Sequence, residues 1–137
     1  MNIQSVIDKI FRRDPKMRPN LCYSQNGEDL ILNRFLENKE KGFFIDVGAH
    51  HPIRFSNTYL FYKKGWSGIN IDAMPGSMTK FNKIRPKDIN IEKGVGIKND
   101  QLTFYQFNES ALNTFSKERS EEHTSELQSP MYLVCRL

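Results

Sequence analysis

The chain has 137 residues, with 20 Lys+Arg against 16 Asp+Glu, a size that allows one domain and not two. Hydrophobic residues at 38% and charged residues at 26% exclude a disordered or a membrane composition, and no apolar run approaches the roughly 18–20 residues of a spanning helix. Cys22 and Cys135 are the only cysteines, which excludes a disulfide framework and a multi-cysteine zinc site. The N-terminus lacks the apolar core of a secretory signal, so a reducing, cytoplasmic location is the expectation.

Ile3, Val6, Ile7, Ile10 and Phe11 recur at helical spacing and predict an amphipathic helix, suited to packing on a sheet or a second subunit. Pro15 and Pro19 break it, leaving Asp14 to Asn20 as a connector. A second helix is predicted from Asn26, with Leu30, Ile31, Phe35 and Leu36 on one face, Glu28 and Asp29 in its first turn, and Gly42 as its stop. Phe43 to Val47 is a short apolar run, as expected of a strand buried on both faces of a parallel sheet. Ser56 is placed to cap a helix through TYLFYKK that Gly65 ends, and GINID at 68–72 is a second strand. A helix carrying Met78, Phe81 and Ile84 leads to Pro86, and Ile89 to Glu92 is a third strand. LTFYQF at 102–107 is β-rich and is expected to pair back as a hairpin. Strands alternating with helices imply a parallel sheet with crossover helices, preceded by N-terminal helices.

In such a sheet, ligands bind beyond the carboxyl ends of the strands. Asp46-Val47-Gly48-Ala49 ends the first strand, where Gly48 lets the backbone turn tightly and a ligand approach closely. Asp72 ends the second, about as far beyond Gly48 as the ~20 residues at which an acid accepts hydrogen bonds from ribose hydroxyls. Together they describe a pocket for an adenosine-type nucleoside. A plain strand end, with Asp46 capping a helix, is the alternative reading of the same residues. A pyrophosphate cradle is not supported, because Gly48 is followed by Ala49, His50, His51 and Pro52 rather than by further glycines, and Pro52 has no N–H to offer. S-adenosylmethionine is a nucleoside without a diphosphate bridge. An NAD-dependent oxidoreductase is disfavoured by the same missing glycines.

YSQNGEDLIL, GFFIDVGAHHPIRFSNTYLFYKKGWSGINIDAMPGSM and FNKIRPKDIN resemble the FkbM-like family of S-adenosylmethionine-dependent methyltransferases, from about Tyr23 to about Phe115. The resemblance implies a partial doubly wound, Rossmann-like class I methyltransferase fold and methylation of a hydroxyl on a sugar, glycan or other small metabolite. It implies S-adenosylmethionine as cofactor. It gives cofactor-binding roles to Asp46, Gly48, Ala49, His50, Ser56, Asn57, Asp72 and Ala73, with Gln25 and Glu28 in a covering segment. No catalytic base is assigned. The family's following strands and their acidic motif are not matched after Phe115, which implies an acceptor-binding half outside this stretch.

RSEEHTSELQS at 119–129 is similar to the frame translation of a common sequencing-adapter oligonucleotide. The expected division is therefore 1–118 as the N-terminal cofactor-binding portion of a methyltransferase domain and 119–137 as a non-native tail, the fragment being inactive alone. A non-catalytic nucleotide-binding or interaction module is the alternative function. His50-His51 has no completing ligands at metal spacing, so no metal is expected. The basic residues are not interleaved with a stacking platform, so no nucleic-acid partner is expected. A homo-oligomer is left open.

Overall fold

The structure is a computed structural model that describes residues 21–97, 100–108, 112–122 and 127–135. The amphipathic helix expected around residues 3–11 lies outside them. In chain order the elements are α1 (Glu28–Phe35), β1 (Phe43–Val47), α2 (Tyr59–Lys63), β2 (Ser67–Asp72), α3 (Ser77–Ile84), β3 (Ile89–Glu92), β4 (Asp100–Phe107), α4 (Lys117–Glu122) and β5 (Leu127–Cys135).

β1, β2 and β3 form a parallel sheet in that order, with Ile45 opposite Ile69 and Ile69 opposite Ile89. The two crossovers, α2 and α3, deliver each strand beside its predecessor, so all three carboxyl ends lie along one edge. Gly65 at φ 89° supplies the left-handed turn that stops α2, and the N–H groups of Thr58 and Tyr59 donate to Ser56 Oγ at its start.

The sheet is buried on one face only, contrary to the expectation for β1. Phe44, Asp46, Gly68 and Asn70 point toward the helices, while Phe43, Ile45, Val47 and Ile89 are 59, 63, 59 and 57% exposed. The continuous apolar run of β1 signals two-sided burial, but among the described residues the packing helices occupy a single face. The face expected for α1 fails similarly: Ile31 and Phe35 are exposed, and its buried side chain is Asp29. α1 ends at Phe35, so Gly42 is not its stop; the backbone at Gly42 instead lies against the Trp66 ring, where a side chain would clash.

Beneath the buried face, Ala49, Met78 and Phe81 form an apolar cluster beside a polar one centred on Arg85. The fully buried Arg85 Nε donates to Asp88 at 2.8 Å, and its Nη1 and Nη2 each donate to Thr58 Oγ1 at 3.1 Å. Its guanidinium lies over the rings of Phe44, Tyr62 and Phe81, 5.1–5.6 Å from their centroids. Asp88 also accepts from the Gly68 N–H and from Asn70 Nδ2, both at 3.0 Å, joining the end of α3 to the middle of β2.

β4 bridges locally to Thr114 through Tyr105, in keeping with a chain that folds back. Its principal partner is β5, antiparallel, from Asp100 opposite Cys135 to Phe107 opposite Leu127, in a separate two-stranded sheet. Among the described residues no helix is long and apolar enough to cross a membrane.

Candidate functional site

The carboxyl edge of the parallel sheet opens into a cavity of about 450 Å³, within the ~300–1,000 Å³ common for small-molecule sites. Val47, Gly48 and His50 line it from the end of β1, Ile71, Asp72, Ala73 and Met74 from the end of β2, and Lys93, Gly94 and Val95 from beyond β3. Gln25 and Phe55 add to the wall from loops, and Phe104, Asn113 and Phe115 from β4 and the segment after it.

Two hydrogen bonds tie the first two strand tips together. The N–H groups of Gly48 and Ala49 both donate to the Ile71 carbonyl, at 2.9 and 3.1 Å. One turn further on, the His50 N–H donates to Asp72 Oδ2 and the Met74 N–H to Asp72 Oδ1, each at 2.8 Å. The carboxylate is thereby held between two loops, with one bond on each oxygen. A carboxylate has about four acceptor sites, so it keeps capacity for two further donors from the cavity. Gly48 has φ 76°, and a Cβ built on it meets nothing within 4 Å, so the backbone there borders open space. His50 and Phe55 also have positive φ, 55° and 58°, and their rings stack at 6.4 Å between centroids. A bulky residue such as Phe55 is strained in that region, and strain of this kind concentrates at sites of function.

Gly48, His50, Asp72 and Ala73 thus line one cavity, together with Gln25. Asp46, Ala49, Ser56 and Asn57 do not line the cavity. Asp46 lies on the helical face and accepts from Thr58 Oγ1 at 2.7 Å, next to the Arg85 network. Ala49 is in the apolar cluster, Ser56 is buried at the start of α2, and Asn57 is exposed. Glu28 opens α1, where hydrogen bonds, first that from the Asn26 N–H, hold its carboxyl below the usual value.

Asp29 anchors the turn that precedes α1. It accepts from the Tyr23 N–H at 2.8 Å, the Ser24 hydroxyl at 2.7 Å and the Leu30 N–H at 2.9 Å. Burial works against its ionisation, but these bonds and one from the Cys22 thiol outweigh it and lower its pKa. Tyr23 is fixed in turn, its carbonyl accepting from the Ser56 N–H and its ring meeting Tyr59 edge-on at 4.8 Å. Gln25 follows directly in this braced turn.

Sequence reasoning missed Lys93–Val95, Met74, Phe55, Phe104, Asn113 and Phe115. The rule that picked out Asp72, proximity to a strand's carboxyl end, applies equally to Lys93–Val95 after β3. Phe104, Asn113 and Phe115 reach the cavity by tertiary folding and carry no local signal. Among the described residues no group of three or more His, Cys, Asp or Glu is gathered to hold a metal ion.

No curated protein and no solved structure matches the chain significantly. Residues 46–132 match the Methyltransferase FkbM domain, a span that starts at the tip of β1 and runs through β2, β3, β4 and α4 into β5. With well over half of its length matched, the chain belongs to the FkbM methyltransferase family.

Proposed function

We propose that the cavity at the carboxyl edge binds S-adenosylmethionine and serves transfer of a methyl group to a hydroxyl of a sugar or other small metabolite. The carrying observation is that Gly48 and Asp72 line one open cavity, the Gly48 N–H donating to the Ile71 carbonyl and the His50 N–H to the Asp72 carboxylate. The donor set fits a nucleoside with an amino-acid tail. Asp72 has acceptor capacity for ribose hydroxyls, Ile71, Ala73, Met74 and Val95 offer apolar surface for a base, and the open backbone at Gly48 admits the tail.

When bound, S-adenosylmethionine supplies an electrophilic methyl group on its sulfonium. What the protein contributes is placement: the bonds at Asp72 fix the loops on either side before any ligand arrives, so less ordering is needed on binding. On this reading the three parallel strands are the cofactor half of a doubly wound class I fold. Residues 1–118 are its cofactor-binding portion and 119–137 are a non-native tail. The chain alone then binds cofactor without turnover.

Isothermal titration with S-adenosylmethionine tests the reading. Binding is expected, weakened at least tenfold in Asp72→Ala. Absence of binding, or unchanged affinity in that variant, rejects it.

A further inference from the structure

Thr58 is the N-cap of α2, the position at which a threonine hydroxyl ordinarily accepts an N–H of the first turn. Here it makes no such bond. Ser56 Oγ accepts the Thr58 and Tyr59 N–H groups instead, at 3.4 and 3.1 Å. The Thr58 hydroxyl is turned to the buried network. It accepts from Arg85 Nη1 and Nη2, each at 3.1 Å, and donates to Asp46 Oδ2 at 2.7 Å. One proton and two lone pairs match these three partners. Thr58 and Arg85 are both buried, so water is a poor substitute for any of them.

These bonds tie a buried guanidinium to the strand that opens the cavity, although neither Thr58, Arg85 nor Asp46 lines it. Asp46 stands two residues before Gly48, whose N–H, with that of Ala49, donates to the Ile71 carbonyl. Ala49 shares an apolar cluster with Met78 and Phe81, and the Phe81 ring lies 5.6 Å from the same guanidinium. The turn at Gly48 is therefore braced from both sides by Arg85, through Thr58 and Asp46 before it and through Phe81 and Ala49 after it. Gly48 is left-handed, at φ 76°, and has no side chain of its own to hold it, so its flanking residues must set its position. Of the two braces, only the one through Thr58 is made of hydrogen bonds, which fix direction as well as distance.

We infer that Thr58 is a positioning residue of the cavity: its hydroxyl carries the restraint of the buried Arg85 to Asp46 and so sets the Gly48–Ala49 turn against the tip of β2. Asp46 then acts on a bound ligand at one remove, through the turn, and not by contact. The placement of the turn is a property of the folded chain. Its consequence for S-adenosylmethionine rests on the reading of the cavity given above.

Amide hydrogen exchange of the 137-residue chain tests the placement without a ligand. Thr58→Val removes the hydroxyl and keeps the branched shape. In it the Gly48 and Ala49 amides are expected to exchange about tenfold faster or more, relative to the amides that pair β2 with β3. Thr58→Ser keeps the hydroxyl and is expected to restore the protection. Asp46→Ala removes the same contact from its half-buried end and is expected to reproduce the Thr58→Val pattern, so it decides the matter if Thr58→Val does not fold. Equal acceleration of all these amides, unchanged exchange at Gly48 and Ala49, or no rescue by serine overturns the inference. Isothermal titration with S-adenosylmethionine is expected to show binding about tenfold weaker or more in Thr58→Val and recovered in Thr58→Ser. Binding that is equal in Thr58→Val and the unaltered chain overturns the inference too. If the unaltered chain binds no S-adenosylmethionine, the reading of the cavity fails, and the exchange pattern still decides the role of Thr58.

Discussion

The Asp72 carboxylate accepts the His50 N–H at 2.8 Å, so the loop leaving β1 hangs from the tip of β2. With the Met74 N–H on the other oxygen, one side chain shapes both sides of the cavity mouth. Asp72→Ala strips both donors of their acceptor. A destabilisation of about 1–3 kcal/mol is expected, together with loss of nucleoside affinity. Asp72→Asn keeps one carbonyl oxygen and should fall between. Urea denaturation measures the first effect, and equal stability in all three proteins would contradict the role given to these bonds.

Arg85 and Asp88 form an ion pair with both side chains at 0% exposure. Removing one partner of such a pair leaves an uncompensated buried charge, at a cost of about 3–5 kcal/mol. Asp88→Ala additionally orphans the Gly68 N–H and Asn70 Nδ2. Against a total stability of ~5–15 kcal/mol for a typical domain, this variant is expected to unfold or nearly so. Loss of less than about 1 kcal/mol in urea would show that the network adds little.

Much of the parallel sheet was legible in the sequence. The strands at 43–47 and 89–92 have the expected bounds, because short β-branched runs bounded by glycine, proline and helix signals leave few alternatives. Asp72 and Gly48 were legible because position at a strand's carboxyl end is a property of order along the chain. The Arg85 network was not. Arg85 stands among Lys83, Pro86 and Lys87, and nothing local separates a buried arginine from a solvated basic run. Nor was the bare face of β1 legible, since periodicity records how apolar a strand is but not whether anything covers it.

Gly68 pairs with Phe44 across β1 and β2, and a Cβ at Gly68 would collide with both the Phe44 ring and its carbonyl oxygen. The ring cannot retreat freely, because the Arg85 guanidinium lies 5.1 Å from its centroid. Gly68→Ala is therefore expected to destabilise by about 1–3 kcal/mol or more through overpacking. Gly76→Ala meets no atom, so its cost is confined to the left-handed backbone, about 1–2 kcal/mol. Thermal melts of the two variants should rank in that order.

The apolar rows Ile45–Ile69–Ile89 and Val47–Ile71–Ile91 run across all three strands of the parallel sheet, with Ile45, Val47 and Ile89 exposed and Ile69, Ile71 and Ile91 half-buried. An apolar face this continuous marks an interaction or aggregation surface. Ile45→Thr with Ile89→Thr keeps β-branched side chains on the strands while making the face polar. Binding of a hydrophobic dye and concentration-dependent light scattering should both fall, with stability changed by less than about 0.5 kcal/mol at such exposed positions. A large loss of stability would mean that the face is covered in solution.

Asp29 has a pKa lowered in the folded chain despite its burial, so its hydrogen bonds add stability while it is ionised. The sign follows from proton binding. The unfolded carboxyl, at about 3.9, takes up protons before the folded one does. The contribution is therefore fully present above about pH 5 and is lost as pH falls through the lowered folded value. Because Asp29 holds the Tyr23 N–H and the Ser24 hydroxyl, the acid transition is expected to release the turn that carries Gln25 to the cavity wall. Hydrogen exchange at the Tyr23 amide should accelerate below about pH 4 beyond the intrinsic dependence. In Asp29→Ala, which leaves no acceptor for the Tyr23 N–H, it should be fast at every pH, with no transition left to observe. A Tyr23 amide equally protected in both proteins at neutral pH would remove the carboxylate from the account of how this segment is held.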